Sequence, residues 1–412
     1  MALVAMEQQS QALLSTQALA GAPFQLQAAS APPMQHSDLQ MTRDHLDPMG
    51  LVQGGLMELG VPRGLARAVA EDDQRIGLRI YLLDNSGSTH APDGSIVCEA
   101  PAIAGAAGRL TRRSCTRWEE ICSFAEEHAR WNLRVGTPCE FILLNSSGRA
   151  QGAPMVEGRD CLHLDRSHGA EADQVEELRR LLKNNGPRGV TPIKERLEDI
   201  RRRIQAEFAA LAQRHQMIFL TIVTDGLPTS PFSGESTPHD KKCMVEAMRT
   251  LCATLPLQLV IRLCTDEEAT ISFYNAIDEE LELPLDILDD MVGEAQEIQK
   301  HGNEWFAYTP VIHRIREAGT LSQILDAIDE RALNVSEVQQ LAEMLSGSEQ
   351  PLVGLSKRDF INQMKKIVAK APLVYDARCQ DMRPIVDIGR LRRAMRYGLR
   401  GRCLSVMCPC FF

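Results

Sequence analysis

The chain has 412 residues, a net charge of −10 and 44% hydrophobic residues. That length exceeds one ordinary domain and predicts two or three units, and the hydrophobic share is sufficient for a sizeable core. The acidic balance argues against a general nucleic-acid binder, and the lack of an 18-residue apolar run argues against a transmembrane helix.

The cysteine pattern and the first residues indicate a cellular compartment. Twelve cysteines are scattered without a Cys-x-x-Cys pair, which argues against a structural zinc module. No charged start followed by an apolar segment is visible, so we expect no secretory signal and a cytoplasmic location with free thiols. Residues 1–45 are rich in Ala and Gln and poor in charge, and we expect them to be disordered.

Residues 46–73 carry short apolar bursts interrupted at Gly60 and Pro62. Two short helices fit this pattern, because glycine and proline both break helices. We expect the pair to form a helical brace beside the first strand. The stretch also resembles a ubiquitin-associated module in its Met-Gly-Leu start and its size.

The stretch from Arg79 to Thr89 begins as an apolar run and ends in small oxygen-bearing residues. The first half predicts a buried parallel strand. The second half presents a carboxylate and two hydroxyls at alternate positions, Asp84, Ser86 and Ser88. Such oxygens at the end of a rigid strand can converge on one hard cation, although the same residues are also typical of a turn.

Two later segments favour the cation. Thr191 stands at the expected N-cap of a long helix over 192–215, with Pro192 at its first position. Residues 217–224 form a second apolar strand pattern, which ends in Asp225-Gly226. In a doubly wound sheet the carboxyl ends of the strands meet at one crevice, so these side chains can share it.

These motifs together resemble the von Willebrand factor type A (vWA) domain and its metal-ion-dependent adhesion site. The three signatures are Asp-x-Ser-x-Ser, a lone Thr before a helix, and Asp-Gly after an apolar strand. They occur in order at five positions: Asp84, Ser86, Ser88, Thr191 and Asp225. The resemblance covers residues 74–318 and implies an α/β fold with a doubly wound, mostly parallel sheet flanked by helices.

The resemblance also implies a ligand set. Ser86, Ser88 and Thr191 would bind a divalent ion directly, and Asp84 and Asp225 would act largely through water. The ion would be Mg²⁺, Mn²⁺ or another divalent cation. One departure from the family is the long gap between the first motif and Thr191, which requires an insertion.

The region between the first two motifs predicts several elements. Residues 89–115 form a long loop or a small hairpin at the rim of the ion site. Thr116 and Glu119 form a capping-box pattern that opens a helix to about Leu133. The remaining elements are strands over 140–144 and 161–164, the second at an edge, and an amphipathic helix over 175–182.

The region after Asp225 is predicted in the same way. A polar loop covers 227–242, followed by a helix over 245–255 and a strand over 258–264. Residues 265–268 either add negative charge near the ion or begin a helix. We interpret the acidic stretch 278–294 as exposed helix and loop, residues 305–308 as the last edge strand, and residues 311–318 as the closing helix.

The C-terminal part changes character. Capping-box patterns at Thr320, Ser336 and Ser356 predict a small helical unit over 319–382. Residues 383–412 carry seven arginines and end in clustered cysteines and aromatics. A basic helix with these cysteines fits a membrane anchor by acylation and attraction to anionic lipid. Alternatively, the arginines pair with the acidic body of the protein and the terminus packs into the core.

The expected function is ligation rather than catalysis. A divalent ion would bridge to an Asp or Glu of a partner protein, which makes the chain a metal-dependent interaction module. No mechanism-bearing motif of an enzyme is present, and nucleic acid is not an expected partner. The alternatives are a metal-dependent hydrolase or phosphatase, and a scaffold with a vestigial ion site.

Overall fold

A computed structural model describes residues 48–99, 110–145, 155–280 and 284–397 of the chain. The segment predicted to be disordered and the cysteine-rich end of the tail lie outside these residues. The nine cysteines within the described ranges are free thiols.

The described residues form thirteen α-helices and ten strands. The helices are α1 Pro48–Glu58, α2 Arg63–Asp73, α3 Arg117–Val135, α4 Glu171–Asn184, α5 Ile193–Gln213, α6 Pro238–Thr254, α7 Glu268–Glu280, α8 Met291–Lys300, α9 Pro310–Glu317, α10 Gln323–Asp326, α11 Val335–Ser346, α12 Lys357–Val368 and α13 Ile388–Tyr397. The strands are β1 Ile76–Leu83, β2 Gly94–Glu99, β3 Leu110–Cys115, β4 Cys139–Leu143, β5 Cys161–Leu164, β6 Met217–Thr224, β7 Leu257–Leu263, β8 Leu285–Leu288, β9 Leu373–Asp376 and β10 Asp381–Pro384.

Six strands form the central sheet, in the order β5-β4-β1-β6-β7-β8. All neighbouring pairs are parallel except β4 with β5, which is the antiparallel edge. The prediction of an α/β fold with a mostly parallel sheet flanked by helices is confirmed. The edge strand at Cys161–Leu164 is confirmed at the predicted residues.

The two covered faces of β1 explain why its last four residues, Ile80–Leu83, are apolar without interruption. Ile80 and Leu82 pack in one cluster with α5 and α6, whereas Tyr81 and Leu83 pack in another with α3 and α4. Successive side chains of a strand point to opposite faces, so a strand covered on both faces must be apolar throughout.

The strand order places a topological switch point between β1 and β6. Among the parallel strands, the chain runs from β1 to β4 on one side and then crosses β1 to place β6 on the other. Connections that leave in opposite directions open a crevice at the carboxyl edge, where α/β sheets bind their ligands.

Two expectations about the far edge of the sheet are wrong. Leu285–Leu288 is the sixth strand, inside the stretch that we interpreted as exposed helix and loop. Glu294 in the same stretch is buried and contacts the buried Arg316. Residues 305–308 are not an edge strand, because they are buried in an apolar cluster, where Phe306 bridges to Val386.

A separate apolar cluster joins the start of the described chain to its end. Leu56 and Leu65 of the first two helices pack in it together with Trp305, Leu341 and Phe360. The two helices predicted over 46–73 are confirmed, with the break at Gly60 in a left-handed conformation.

The C-terminal region differs from its prediction in two respects. It contains the antiparallel hairpin β9-β10 as well as helices. The capping box of α11 is made by Asn334 rather than Ser336, and the hydroxyl of Thr320 donates to Asp72 instead of capping a helix. The cap at Ser356 is confirmed.

Helix α13 contains part of the predicted basic tail. Leu391 and Met395 are buried, and Arg390 lies 3.3 Å from Glu304. This part of the tail therefore packs on the protein through its apolar side. In the part of the chain that the structure describes, no helix has the length and apolarity to cross a bilayer.

Candidate functional site

The first and third motifs lie side by side at the switch point. β1 and β6 pair in parallel with Leu83 opposite Val223, so Asp84 and Asp225 follow at the same edge of the sheet. The backbone N–H of Asp84 donates to the carbonyl of Val223 at 2.9 Å. Strand register thus places two aspartates that are 141 positions apart in the chain at the same edge of the sheet.

A chain of hydroxyls and carboxylates links four of the predicted residues. The hydroxyls of Ser86 and Ser88 are 2.9 Å apart, and Ser88 donates to Oδ1 of Asp225 at 2.9 Å. The N–H of Ser86 donates to Oδ1 of Asp84 at 2.8 Å. With Thr191, these residues form what we call the edge cluster.

The edge cluster is buried at its base and open at one point. Asp84 and Asp225 are each 1% exposed, whereas Ser88 is exposed. The pKa of Asp84 is raised to about 6. The main cause is burial, and the second cause is the negative charge of the neighbouring Asp225. A buried carboxylate whose pKa is raised favours a cation beside it, because its ionised form is otherwise poorly solvated.

Thr191 lies at the same edge but is held through its backbone. Its N–H donates to the hydroxyl of Thr229 at 2.9 Å, and its carbonyl accepts from the N–H of Thr229 at 3.0 Å. A Cβ built on Gly226 would lie 3.8 Å from the hydroxyl oxygen of Thr191. Helix α5 begins at Ile193, one residue later than predicted.

The hydroxyl of Thr191 makes no hydrogen bond to the other four residues of the edge cluster within the described ranges. The structure therefore brings four of the five predicted residues into one hydrogen-bonded chain, and places the fifth beside Gly226.

Two asparagines that the sequence did not single out connect the loops. Asn85 donates to the carbonyls of Asn145 and Asn185 at 2.8 and 3.0 Å and accepts from the N–H of Asn145 at 2.7 Å. Asn145 donates to the carbonyl of Val190 at 2.7 Å. They fix the loop after β1 to the loop that carries Thr191, and an asparagine beside a predicted site was the available signal.

Arg117 is a third residue of the candidate site that sequence reasoning missed. It is the first residue of α3 and donates to Oδ2 of Asp225 at 3.0 Å. It also pairs with both carboxylate oxygens of Asp93, at 2.7 and 2.6 Å, and this pairing lowers the pKa of Asp93. The capping box at Thr116 is confirmed and places Arg117 at the rim that was expected from residues 89–115.

That rim is a hairpin rather than a loop. β2 and β3 pair from Gly94 opposite Cys115 to Glu99 opposite Leu110. The acidic residues after β7 lie at a helix start, as one of their two interpretations predicted, since α7 begins at Glu268 and Glu267 accepts from the hydroxyl of Thr270. They make no hydrogen bond to the edge cluster within the described ranges.

The donor set fits a hard divalent cation. Neighbouring ligands of an octahedral Mg²⁺, with bonds of about 2.0–2.1 Å, are separated by about 3.0 Å. The distances between the oxygens of Ser86 and Ser88, and between those of Ser88 and Asp225, are both 2.9 Å. The same distances also suit hydrogen bonds, so they permit the ion without requiring it.

A second group of potential ligands lies elsewhere, at Glu140, Glu157 and Cys161. Arg203 contacts Glu140 and lies 3.6 Å from the sulfur of Cys161. A guanidinium contacts a carboxylate in this group, as Arg117 does in the edge cluster. None of the three motifs includes these residues, so we develop the edge cluster as the candidate site.

No protein-family model matches the chain, and no curated protein shows significant similarity to it. The resemblance to the vWA domain therefore rests on the three motifs alone.

Proposed function

We propose that the edge cluster holds a divalent cation and that the protein is a metal-dependent protein-interaction module of the vWA type. Mg²⁺ or Mn²⁺ bound by Ser86, Ser88 and Thr191 would offer an open coordination position to an Asp or Glu of a partner protein. The supporting observation is the chain of oxygens from Ser86 through Ser88 to the buried Asp225.

The exposure of Ser88 supports a role in contact with another molecule. The buried aspartates supply charge from below, whereas the exposed hydroxyl borders solvent. The asparagine contacts hold the loops in place before any partner arrives, which reduces the entropy lost on binding.

Thermal unfolding with increasing Mg²⁺ or Mn²⁺ tests the ion site. A cation that binds only the folded protein raises the unfolding temperature, and at 100 times its Kd it adds about 2.7 kcal/mol. We expect this rise in the natural protein and its loss in Asp84→Ala. The matched control is Asp173→Ala, since Asp173 is exposed on α4.

Affinity capture in Mg²⁺ and in EDTA, read by mass spectrometry, tests the interaction. A partner that is captured only in Mg²⁺ and not by Asp84→Ala supports the proposal. A verified partner that binds equally in EDTA and to Asp84→Ala contradicts it. A protein that binds no cation at all is the scaffold with a vestigial site, and phosphatase activity lost in the same variant indicates the hydrolase.

A further inference from the structure

The end of the described chain is strongly basic, in contrast to the rest of the protein. Residues 357–396 contain eleven lysines and arginines against four aspartates, a net charge of +7 in a chain whose total is −10. The remainder therefore carries −17. Charge separated in this way creates a positive local potential on an acidic protein.

Most of these basic side chains face solvent without a carboxylate partner. Seven are exposed, and none has an ion pair within the described part of the chain: Arg358, Lys365, Lys366, Lys370, Arg383, Arg392 and Arg396. Arg390 and Arg393, in contrast, lie within 3.3 and 4.0 Å of Glu304. The seven residues form what we call the basic C-terminal face.

The fold turns these residues outward because their helices bury the opposite side. Phe360 and Met364 of α12, and Leu391 and Met395 of α13, pack in one apolar cluster, and the two helices contact each other. Five of the seven basic residues lie on the remaining surface of the two helices, whereas Lys370 and Arg383 lie in the segment between them. The hairpin that joins the helices adds an apolar group, since Leu373 is 55% exposed and pairs with Pro384.

We propose that the basic C-terminal face binds the surface of an anionic lipid bilayer. Each lysine or arginine near such a surface is attracted to its negative potential, and the attractions accumulate within a Debye length. Leu373 lies between Lys370 and Arg383 in the chain, where an apolar side chain can enter the lipid interface.

Two observations favour a bilayer over nucleic acid. The aromatic side chains of residues 357–396, Phe360 and Tyr375, are buried and offer no surface on which a base could stack. The sequence continues beyond the basic face with Arg400, Arg402 and an apolar end, which extends the same combination of charge and apolar groups.

Co-sedimentation of the full, unlipidated chain with vesicles tests the proposal. Vesicles of phosphatidylcholine with 30% phosphatidylserine (about the anionic fraction that gives a negative surface potential) are compared with phosphatidylcholine alone. The variant reverses three charges by Lys365→Glu, Lys366→Glu and Lys370→Glu. The matched control reverses three exposed charges elsewhere, by Arg180→Glu, Lys183→Glu and Lys242→Glu, so that the total charge of the two proteins is equal.

We expect binding to the anionic vesicles only, and weaker binding at higher salt. The Lys365, Lys366 and Lys370 variant should lose about a hundredfold in partitioning, and the control less than about threefold. Equal thermal unfolding of the proteins verifies that the exposed substitutions leave the fold intact. Addition of EDTA should change nothing, which separates this proposal from that for the edge cluster.

Three results would overturn the inference. The natural protein could fail to prefer anionic vesicles, or the variant and the control could bind alike. A 30-base-pair duplex that competes with the vesicles and loses affinity in the same variant would instead assign the face to nucleic acid.

Discussion

Arg117 and Ser88 donate to different carboxylate oxygens of Asp225. The guanidinium lies 3.0 Å from Oδ2 of Asp225, and the Ser88 hydroxyl lies 2.9 Å from Oδ1. The predicted ligand Asp225 thus has one oxygen toward the edge cluster and one toward a positive charge. Asp93 holds the guanidinium from its other side.

Replacement of Arg117 by glutamine should increase the affinity for Mg²⁺. A guanidinium on the same carboxylate repels an incoming cation, and at this range the repulsion exceeds 1 kcal/mol even with strong screening. We expect the Kd from calorimetric titration to fall at least tenfold. Arg112→Gln is the matched control, because Arg112 pairs with Asp290 rather than with Asp225.

An unchanged or weaker affinity in Arg117→Gln would mean that the arginine positions Asp225 rather than opposing the ion. If the natural protein itself does not bind Mg²⁺, that result contradicts the proposed function.

Asp84→Asn should make the protein more stable in EDTA at neutral pH. The pKa of Asp84 is raised to about 6 from an ordinary 3.8, mainly by burial and then by Asp225. Its contribution to stability is therefore complete below pH 3.8 and is lost as the pH rises through 6. A neutral asparagine removes that loss of stability. We therefore expect the free energy of unfolding of the variant at pH 7 to be up to about 3 kcal/mol higher than that of the natural protein.

Denaturant unfolding between pH 4 and pH 7.5 measures this difference, with Asp173→Asn as the control for a lost surface carboxylate. A difference that does not grow with pH would contradict the assigned cause. Saturating Mg²⁺ should reverse the order of stability, because the variant lacks one carboxylate of the site.

Glu317→Gln should be strongly destabilising at neutral pH. The buried carboxylate of Glu317 lies 3.2 Å from Arg262 and also contacts the imidazole rings of His128 and His313. Burial alone would raise its pKa, but His313 and His128 outweigh burial and hold the pKa well below its ordinary value. Its stabilisation is present above pH 4.5 and is lost as the pH falls toward the lowered pKa.

We expect a loss of about 3–5 kcal/mol at pH 7, because the variant leaves Arg262 with one buried partner fewer. Glu127→Gln, at a partly exposed contact with Arg314, should lose less than about 1 kcal/mol. Urea unfolding at several pH values from 7 to 3 tests this prediction. The loss caused by the substitution should shrink as the pH falls below 4.5, and a pH-independent loss would exclude an electrostatic origin.

Gly319→Ala should destabilise the protein much more than Gly302→Ala. Both glycines have a positive φ, of 79° and 80°, so both substitutions bring the same backbone strain. An added Cβ at Gly319 would lie 1.9 Å from Cδ1 of Phe219, whereas at Gly302 it meets nothing within 4 Å. Thermal unfolding should show a loss of about 1 kcal/mol in the free energy of unfolding for Gly302→Ala and of at least about 3 kcal/mol for Gly319→Ala.

Equal losses of stability in the two variants would show that Gly319, after α9, is not packed tightly against Phe219 of β6.

The sequence predicted the elements around the edge cluster with small errors. The strands before Asp84 and Asp225 and the helix after Thr116 were recognisable because local periodicity, glycine and capping residues act over a few positions. The sixth strand was missed, because Leu285–Leu288 is short and lies among acidic residues. Residues 305–308 were misassigned, since burial against another segment leaves the same apolar pattern as a strand.

The contacts of the candidate site were only partly predictable. Arg117 and Asn85 act on residues more than fifty positions away, and no local pattern distinguishes them from surface arginines and turn asparagines.

The sequence by itself determined which groups are available, namely two aspartates at strand ends, two serines, a threonine and a basic C-terminal region. Only the tertiary structure decided that β1 and β6 are neighbours, that Arg117 reaches Asp225, and which basic residues face outward. The physical reason is that strand order and helix packing depend on the burial of distant apolar faces against each other, which no short stretch of sequence encodes.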